Sequence, residues 1–518
     1  MRGCPRSPDT ASTMLPMSRN LQGRSDDKIT SNPTSTLLVQ SRIGSHREVS
    51  LVSQMVTASP IQVRNWFGSI VSSPAVVVYP RNADEIVEIM RDHERFPGPV
   101  RAVGSNHSTT ACGVAEGGTL VVMRNLNRVL DISPDSVTAE AGALYIDVAK
   151  QLQRYGLQFY VNVELGNLSI GSAACGGTKD ASMPGEFGQV CSYATRIKMI
   201  TSAGEKIEIG EDQPELLQVA RSSYGLFGII YEVTFKVQPL QAMQLYHQTF
   251  SLDEFARRLP ELKARGESIM LYINPFIDSI TVEFRRYHPA TPTTNFTTWQ
   301  WAVRNFVWAT FGPGYSHFVS SYVPITRLRD ALLNGFYRLV SIVLSTLIRG
   351  QNTVPTDQQI RYPEMGYGED SRYTFSIWAF PEEEYIDSLR AYFHFCQEYY
   401  RTKGYRFDIT SVGYRIQHDT SSLFSYSFNG PVMTFDPVST GNPGWEDFLR
   451  AYNNFCTQHH GTPLFNQTNL LTLEQVQIAF GDRIQKFESY RKQFDLDNRL
   501  VNPYFRELLG SGEYKEQG

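Results

Sequence analysis

Residues 101–108 read R-A-V-G-S-N-H-S, an apolar approach that breaks at Gly104 into small side chains with one imidazole at the tip. A turn of this composition exposes several backbone N–H groups together. The expectation is that Gly104 takes a positive φ, so that the backbone closes around an anion such as a pyrophosphate. His107 then faces whatever the loop holds. A second stretch, 166–182, reads G-N-L-S-I-G-S-A-A-C-G-G-T-K-D-A-S and has no large side chain beyond Leu168, Ile170 and Lys179. A chain avoids bulk for so long where something flat or anionic lies against its backbone. Chemistry beside such a site needs a proton acceptor, and Tyr414, His418, His459 and His460 have suitable side chains.

Regular elements must position these residues. Strands are expected at 75–79 and 100–103 around a helix at 83–95, which follows the Asn82 cap and spaces Ile86, Ile89 and Met90 along one face. This β-α-β unit delivers His107. Short strands at 120–123, 128–132 and 136–141 and a helix at 146–155, ended by Gly156, lead to the second stretch. Strands at 193–201 and 206–209 follow around Ser202-Ala203-Gly204-Glu205, and an alternating, β-branched strand at 229–237 closes a sheet.

At 518 residues the chain exceeds what one core holds, and domains of about 150–250 residues are expected. A net charge of −4 gives no general attraction to phosphate backbones, which disfavours a nucleic-acid partner. The 6 cysteines are scattered without a C-x-x-C pair, so neither a metal site nor a disulfide scaffold is indicated. Residues 1–58 are rich in Ser, Thr, Arg and Asn and lack a secretory apolar run; a disordered leader and an intracellular location are expected.

Four motifs in order, R-A-V-G-S-N-H-S, A-G-A-L-Y-I-D-V (142–148 with Ala141), the small-residue run, and Y-G-L-F-G-I-I-Y-E-V (224–233), resemble the flavin domain of the vanillyl-alcohol oxidase superfamily. Within it the chain is most similar to the L-gulonolactone, D-arabinono-lactone and alditol oxidases. The resemblance implies an α+β fold: a two-part, PCMH-type FAD-binding domain at 59–240, an α+β substrate cap at 241–469, and a segment at 470–518 that returns to the FAD domain. It implies that His107 is joined covalently to the flavin methyl group, as a single link. Arg101, Val103, Gly104, Ser105, Asn106, His107 and Ser108 would wrap the pyrophosphate. Ser169, Ser172, Gly176, Gly177, Thr178 and Lys179 would lie along the flavin and its diphosphate, with Gly228 and Ile230 towards the adenine. The family's histidine in T-G-T-H-G is Lys179 here.

The cap departs further. Gly413-Tyr414-Arg415 stands where the alditol oxidases carry Glu-x-Arg, so Arg415 is expected above the flavin, where a guanidinium would stabilise a developing alkoxide. Tyr414 is a candidate base there. Gln467 replaces the lysine of the family's G-R-P-H-W-G-K. No other polar set is apparent in the cap, and Trp299, Trp301, Trp308, Phe306, Phe311 and Phe318 make residues 297–350 strongly aromatic. The helix at 331–348 is expected either buried in the cap or lying on a membrane surface. The implied activity is an FAD-dependent oxidation of an alcohol or activated C–H bond in a small organic substrate with O2 as acceptor. Sugar-lactone or alditol oxidation, transfer to another acceptor, and an inactive flavin-fold binder are the alternatives.

Overall fold

The computed structural model describes residues 62–359 and 373–510. The leader expected at 1–58 lies outside the described residues. A three-stranded parallel sheet places Thr119–Val122 between Val76–Val78 and Val100–Val103. The helix between the first two of these in sequence runs Ala83–Arg91, with Asn82 Oδ1 accepting the Glu85 amide at 2.9 Å. It stops four residues before the expected end because the chain turns at Asp92 to bury Phe96 completely.

A second, antiparallel sheet runs Lys206–Gly210, Ala194–Ile200, Ile229–Pro239, Ser136–Glu140, Val129–Ile132, and Leu157–Phe159 joins the far end of the long strand. Its inward residues Val137, Ala139, Ile197, Met199, Val233 and Phe235 are buried at alternate positions, the period-2 pattern seen in the sequence. The small-residue run contains a short helix, Ile170–Cys175, with Gly171 lying on Ala141 where a Cβ would come within 2.8 Å.

Among the described residues the third sheet has nine strands and orders Gln241–Phe250, Ser279–Pro289, Ser268–Asn274 and Ile409–Ile416 side by side. Helices Tyr385–Lys403 and Trp445–Gln458 cover one of its faces: Tyr392 bonds Ser411 Oγ at 2.8 Å and stacks on Phe435 at 4.4 Å. The strand Ile409–Ile416 therefore turns Ser411 to the helices and Thr410, Val412 and Tyr414 to the opposite side.

Three helices, Trp299–Phe306, Gly312–Tyr322 and Thr326–Leu347, form the aromatic lobe. The last begins five residues before the expected 331. Its 3.6 period buries Leu333, Tyr337, Val340 and Leu344 and leaves Leu339 and Ile342 59% and 64% exposed. Among the described residues no helix is long and apolar enough to cross a membrane. The tail folds as three helices, Leu473–Phe480, Arg483–Phe494 and Pro503–Leu508; Gly481 separates the first two, and Pro503 stands at the start of the third.

Candidate active site

The two small-residue segments meet. A Cβ on Gly104 would lie 2.0 Å from Ser169 Oγ and 2.6 Å from its Cβ, so only glycine lets the turn after Val100–Val103 lie against the start of the short helix. This close approach, and not a positive φ, is what Gly104 provides; the left-handed residue of the turn is Asn106, at φ 54°. Ser105 Oγ donates to the Asn167 carbonyl and Ser108 Oγ to the Asn466 carbonyl at 2.8 Å, which fixes both ends of the turn.

Between these segments runs a cleft. Arg101, Val103, Gly104, Ser105, Asn106, His107, Ser108, Ser169, Ser172, Gly176, Thr178, Gly228, Ile230 and Gln467 all line it. The guanidinium of Arg101 is committed to protein, donating to the carbonyls of Cys112, Tyr224, Gly225 and Leu500 at 2.6–3.3 Å. It braces the turn and offers nothing to a phosphate. Gly177 lies off the cleft, packed where a Cβ would meet Leu464 at 2.5 Å.

His107 is 7% exposed, 5.0 Å from the Trp66 ring, and its Nε2 lies 2.5 Å from Asn167 Oδ1. A carboxamide oxygen only accepts, so Nε2 carries the proton and Nδ1, which has no partner, keeps its lone pair. Burial pushes the imidazole down to about 4, against the Asn167 hydrogen bond that raises it.

A second cavity adjoins the cleft and shares Leu168, Thr178 and Gln467 with it. Lys179 lines this cavity and not the cofactor cleft. Its Nζ is 2.9 Å from Asp436 Oδ2 and 3.6 Å from the centre of the Tyr414 ring, with the side chains of the ion pair 2% and 4% exposed. Burial lowers the Lys179 amine and pushes the Asp436 carboxyl up to about 6, each opposed by the partner's charge. Burial holds the Tyr414 hydroxyl well above its ordinary value.

Arg415 is not above this site. One residue on from Tyr414, it points to the other face of the strand, where Nε pairs with Glu382 at 2.6 Å. The residues of this strand that line the cavity are Ile409, Thr410, Val412 and Tyr414. His418, His459 and His460 also lie off both cavities: His418 bonds the Phe428 carbonyl, His459 stacks on Phe455, and His460 pairs with Glu384 at the surface.

The cap does contain a polar set, one that the sequence reading missed. Arg285 bonds Glu283, Asp180 and Glu164 at 2.8, 3.1 and 3.1 Å, and Arg304 reaches Glu164 at 2.9 Å and Glu283 at 3.1 Å. His247 Nε2 sits 2.9 Å from Glu283, and the Tyr272 hydroxyl donates to it at 3.2 Å. Glu164, Asp180, Tyr272 and Arg304 form one wall of the cavity. Trp308, Tyr373, Phe375, Ile377, Val412 and Val438 form much of the rest. The available signals were Glu283 and Arg285 at i and i+2 on one face of a strand and one arginine in an aromatic helix (Arg304).

Residues 74–210 match a family described as FAD binding domain. The chain is 24% identical over 456 residues to an L-gulono-1,4-lactone dehydrogenase of Mycobacterium tuberculosis, covering 86% of this chain and 98% of that protein. It is 23% identical over 244 residues to an L-gulonolactone oxidase of Bos taurus, covering 46% of this chain and 54% of that one. In fold it is similar to a cholesterol oxidase from B. sterolicum, with a TM-score of 0.62 at 15% identity over 86% of this chain and 96% of that one. The cleft fits the cofactor that these matches imply: its walls are small residues that a Cβ would obstruct, and His107, whose Nδ1 has no hydrogen-bond partner, is among the residues that line it. The chain is an FAD-dependent oxidoreductase, with its FAD-binding domain at residues 74–210.

Proposed function

We propose that the protein is an oxidase of uncharged, hydroxyl-bearing organic substrates with an apolar body, its FAD tethered through His107 Nδ1 and its electrons passed to O2. The observation that carries this reading is the junction of the two cavities at Leu168, Thr178 and Gln467, where a substrate in the second meets a cofactor in the first. Bound there, FAD supplies a two-electron acceptor for hydride. The protein's part is to hold the substrate. Four carboxylates (Glu164, Asp180, Glu283, Asp436) stand against Arg285, Arg304 and Lys179, so the cluster has no excess of positive charge for an anionic substrate. Gln467 Oε1, buried without a partner, suits a substrate hydroxyl. The aromatic wall accepts the apolar remainder.

A panel of L-gulono-1,4-lactone, D-arabinono-1,4-lactone and cholesterol, the compounds in the relatives' names, tests the reading. At least one is expected to bleach the yellow holoprotein anaerobically, with peroxide released stoichiometrically when air is admitted. A protein that never takes up FAD contradicts the reading. Reduction without peroxide, relieved by a dye, favours a dehydrogenase.

The aromatic lobe supports a second element, contact with an anionic lipid surface. Trp299, Phe306, Phe311, Phe318, Leu339 and Ile342 are each at least 48% exposed. Arg327, Arg338 and Arg349 are exposed among them, while the one carboxylate of 299–349, Asp330, is turned inward to Arg406. Apolar side chains rimmed by arginines bind the interface of an acidic bilayer. The protein is expected to sediment with phosphatidylserine-containing vesicles and not with pure phosphatidylcholine. The pair Phe318→Glu and Ile342→Glu should lower the bound fraction about tenfold or more, since it removes buried apolar area and adds repulsion. Equal binding of that variant would remove the lobe from consideration.

A further inference from the structure

The oxidation proposed above requires a group to take the hydroxyl proton, and the inference here rests on that reading. The carboxylates of the second cavity differ in what holds them. Glu164 and Asp180 are bound by arginine, and burial raises the Asp180 carboxyl against the attraction of Arg285. Asp436 faces a lysine. Its Oδ2 accepts from Lys179 Nζ at 2.9 Å and from Thr434 Oγ1 at 3.2 Å, and its Oδ1 is buried with no hydrogen-bond partner. The Tyr414 hydroxyl, held well above its ordinary value by burial, keeps its proton and is not the base. The histidines of the cap lie elsewhere.

We propose that Asp436 Oδ1 is the proton acceptor of the oxidation, and that Lys179 is the positioning residue that holds the carboxylate with this oxygen free. The step balances. The substrate O–H bond breaks and its proton moves to Asp436 Oδ1; the C–H bond breaks and its electron pair leaves with the hydrogen as hydride to the bound flavin, the oxidant; the C=O bond forms.

The groups around Asp436 keep its titration distinct. Tyr414 comes from the strand Ile409–Ile416, Tyr385 from one covering helix, Tyr452 and Cys456 from the other, and Tyr426 from the loop before Val432–Thr434; burial raises all five above their ordinary values, so they are neutral. Lys179 is the cation in contact, with Asp180 beside it in turn. The amide of Trp378 favours the charged carboxylate.

The test is anaerobic stopped-flow reduction of the holoprotein by L-gulono-1,4-lactone, D-arabinono-1,4-lactone or cholesterol across pH. With the wild type, the reduction rate is expected to rise with pH through about 6, where Asp436 loses its proton, and then level off. Asp436→Asn should lower the plateau roughly 10²–10⁴-fold and abolish the limb, with FAD content and visible spectrum unchanged. Asp436→Glu should restore part of the rate and keep a limb. Lys179→Met should move the limb to higher pH, since a buried carboxylate without its cation holds its proton more tightly. A limb that persists in Asp436→Asn, or a plateau within tenfold of wild type, would overturn the assignment. Should Asp436→Asn fail to load FAD, an unmoved limb in both Asp436→Glu and Lys179→Met would do the same. Failure of the wild type to be reduced by any of the three compounds would bring down the functional reading and this assignment with it.

Discussion

Replacement of His107 by alanine is expected to give a protein that takes up FAD but surrenders all of it when precipitated in acid, whereas the wild-type pellet stays fluorescent. The tether needs a neutral imidazole with a free nitrogen. Burial pushes His107 down to about 4, so the ring is unprotonated at neutral pH, and Asn167 Oδ1 occupies the Nε2 proton. Nδ1 is left as the nucleophile. The sign of the pH dependence follows: the folded value is lowered, so the reactive neutral form persists well below the ordinary 6.5 and is lost only as pH falls through about 4. Covalent incorporation into apoprotein should therefore hold level down to about pH 5 and fail towards 4. Retained fluorescence in the His107→Ala pellet would place the tether on another residue or deny it.

Glu283→Gln should cost about 3–5 kcal/mol in chemical denaturation, the range for removing one member of a buried ion cluster. The carboxylate is fully buried and bonded by Arg285, Arg304, His247 and Tyr272. Burial alone would raise it, but the two arginines outweigh burial and hold it well below the ordinary carboxylate value. Glutamine keeps the shape and removes the charge, leaving Arg304 with Glu164 as its remaining carboxylate partner. The folded value is lowered, so this stabilisation is complete above the ordinary 4.5 and lost as pH falls through the folded value. The gap between wild type and variant should be constant near neutrality and shrink in acid. A loss below about 1 kcal/mol at pH 7 would mean the cluster is no tighter than a surface pair.

What the sequence revealed and what it hid have separate physical causes. The cradle was legible because it is a backbone feature: small residues at 101–108 and 166–182 are selected locally by the close approach that Gly104 and Ser169 make. The helix Thr326–Leu347 was legible as an apolar helical run, though its start was placed at 331. Arg415 was misplaced because a strand turns every second side chain over; a motif set one residue off puts its guanidinium on the far face, against Glu382. The expected positive φ at Gly104 failed for a related reason, since a glycine marks either an unusual dihedral or a missing Cβ and its letter does not distinguish them. The charged wall was hidden altogether. Glu164, Asp180, Glu283, Arg285 and Arg304 come together only when the cap sheet stands over the small-residue run, and no local pattern carries that contact.

The clamp around Arg101 has a temporal implication. Its guanidinium reaches the Leu500 carbonyl, 399 residues away in sequence, while the Asn502 side chain donates to the carbonyls of Ala111, Cys112 and Val114, and the Arg499 carbonyl accepts the Val100 amide. During synthesis, the nucleotide-holding loop at 101–108 must wait, unlatched, until residues 499–502 have been made. Loading of the prosthetic group thus follows translation through residue 502, and the 499–502 segment serves as the bolt.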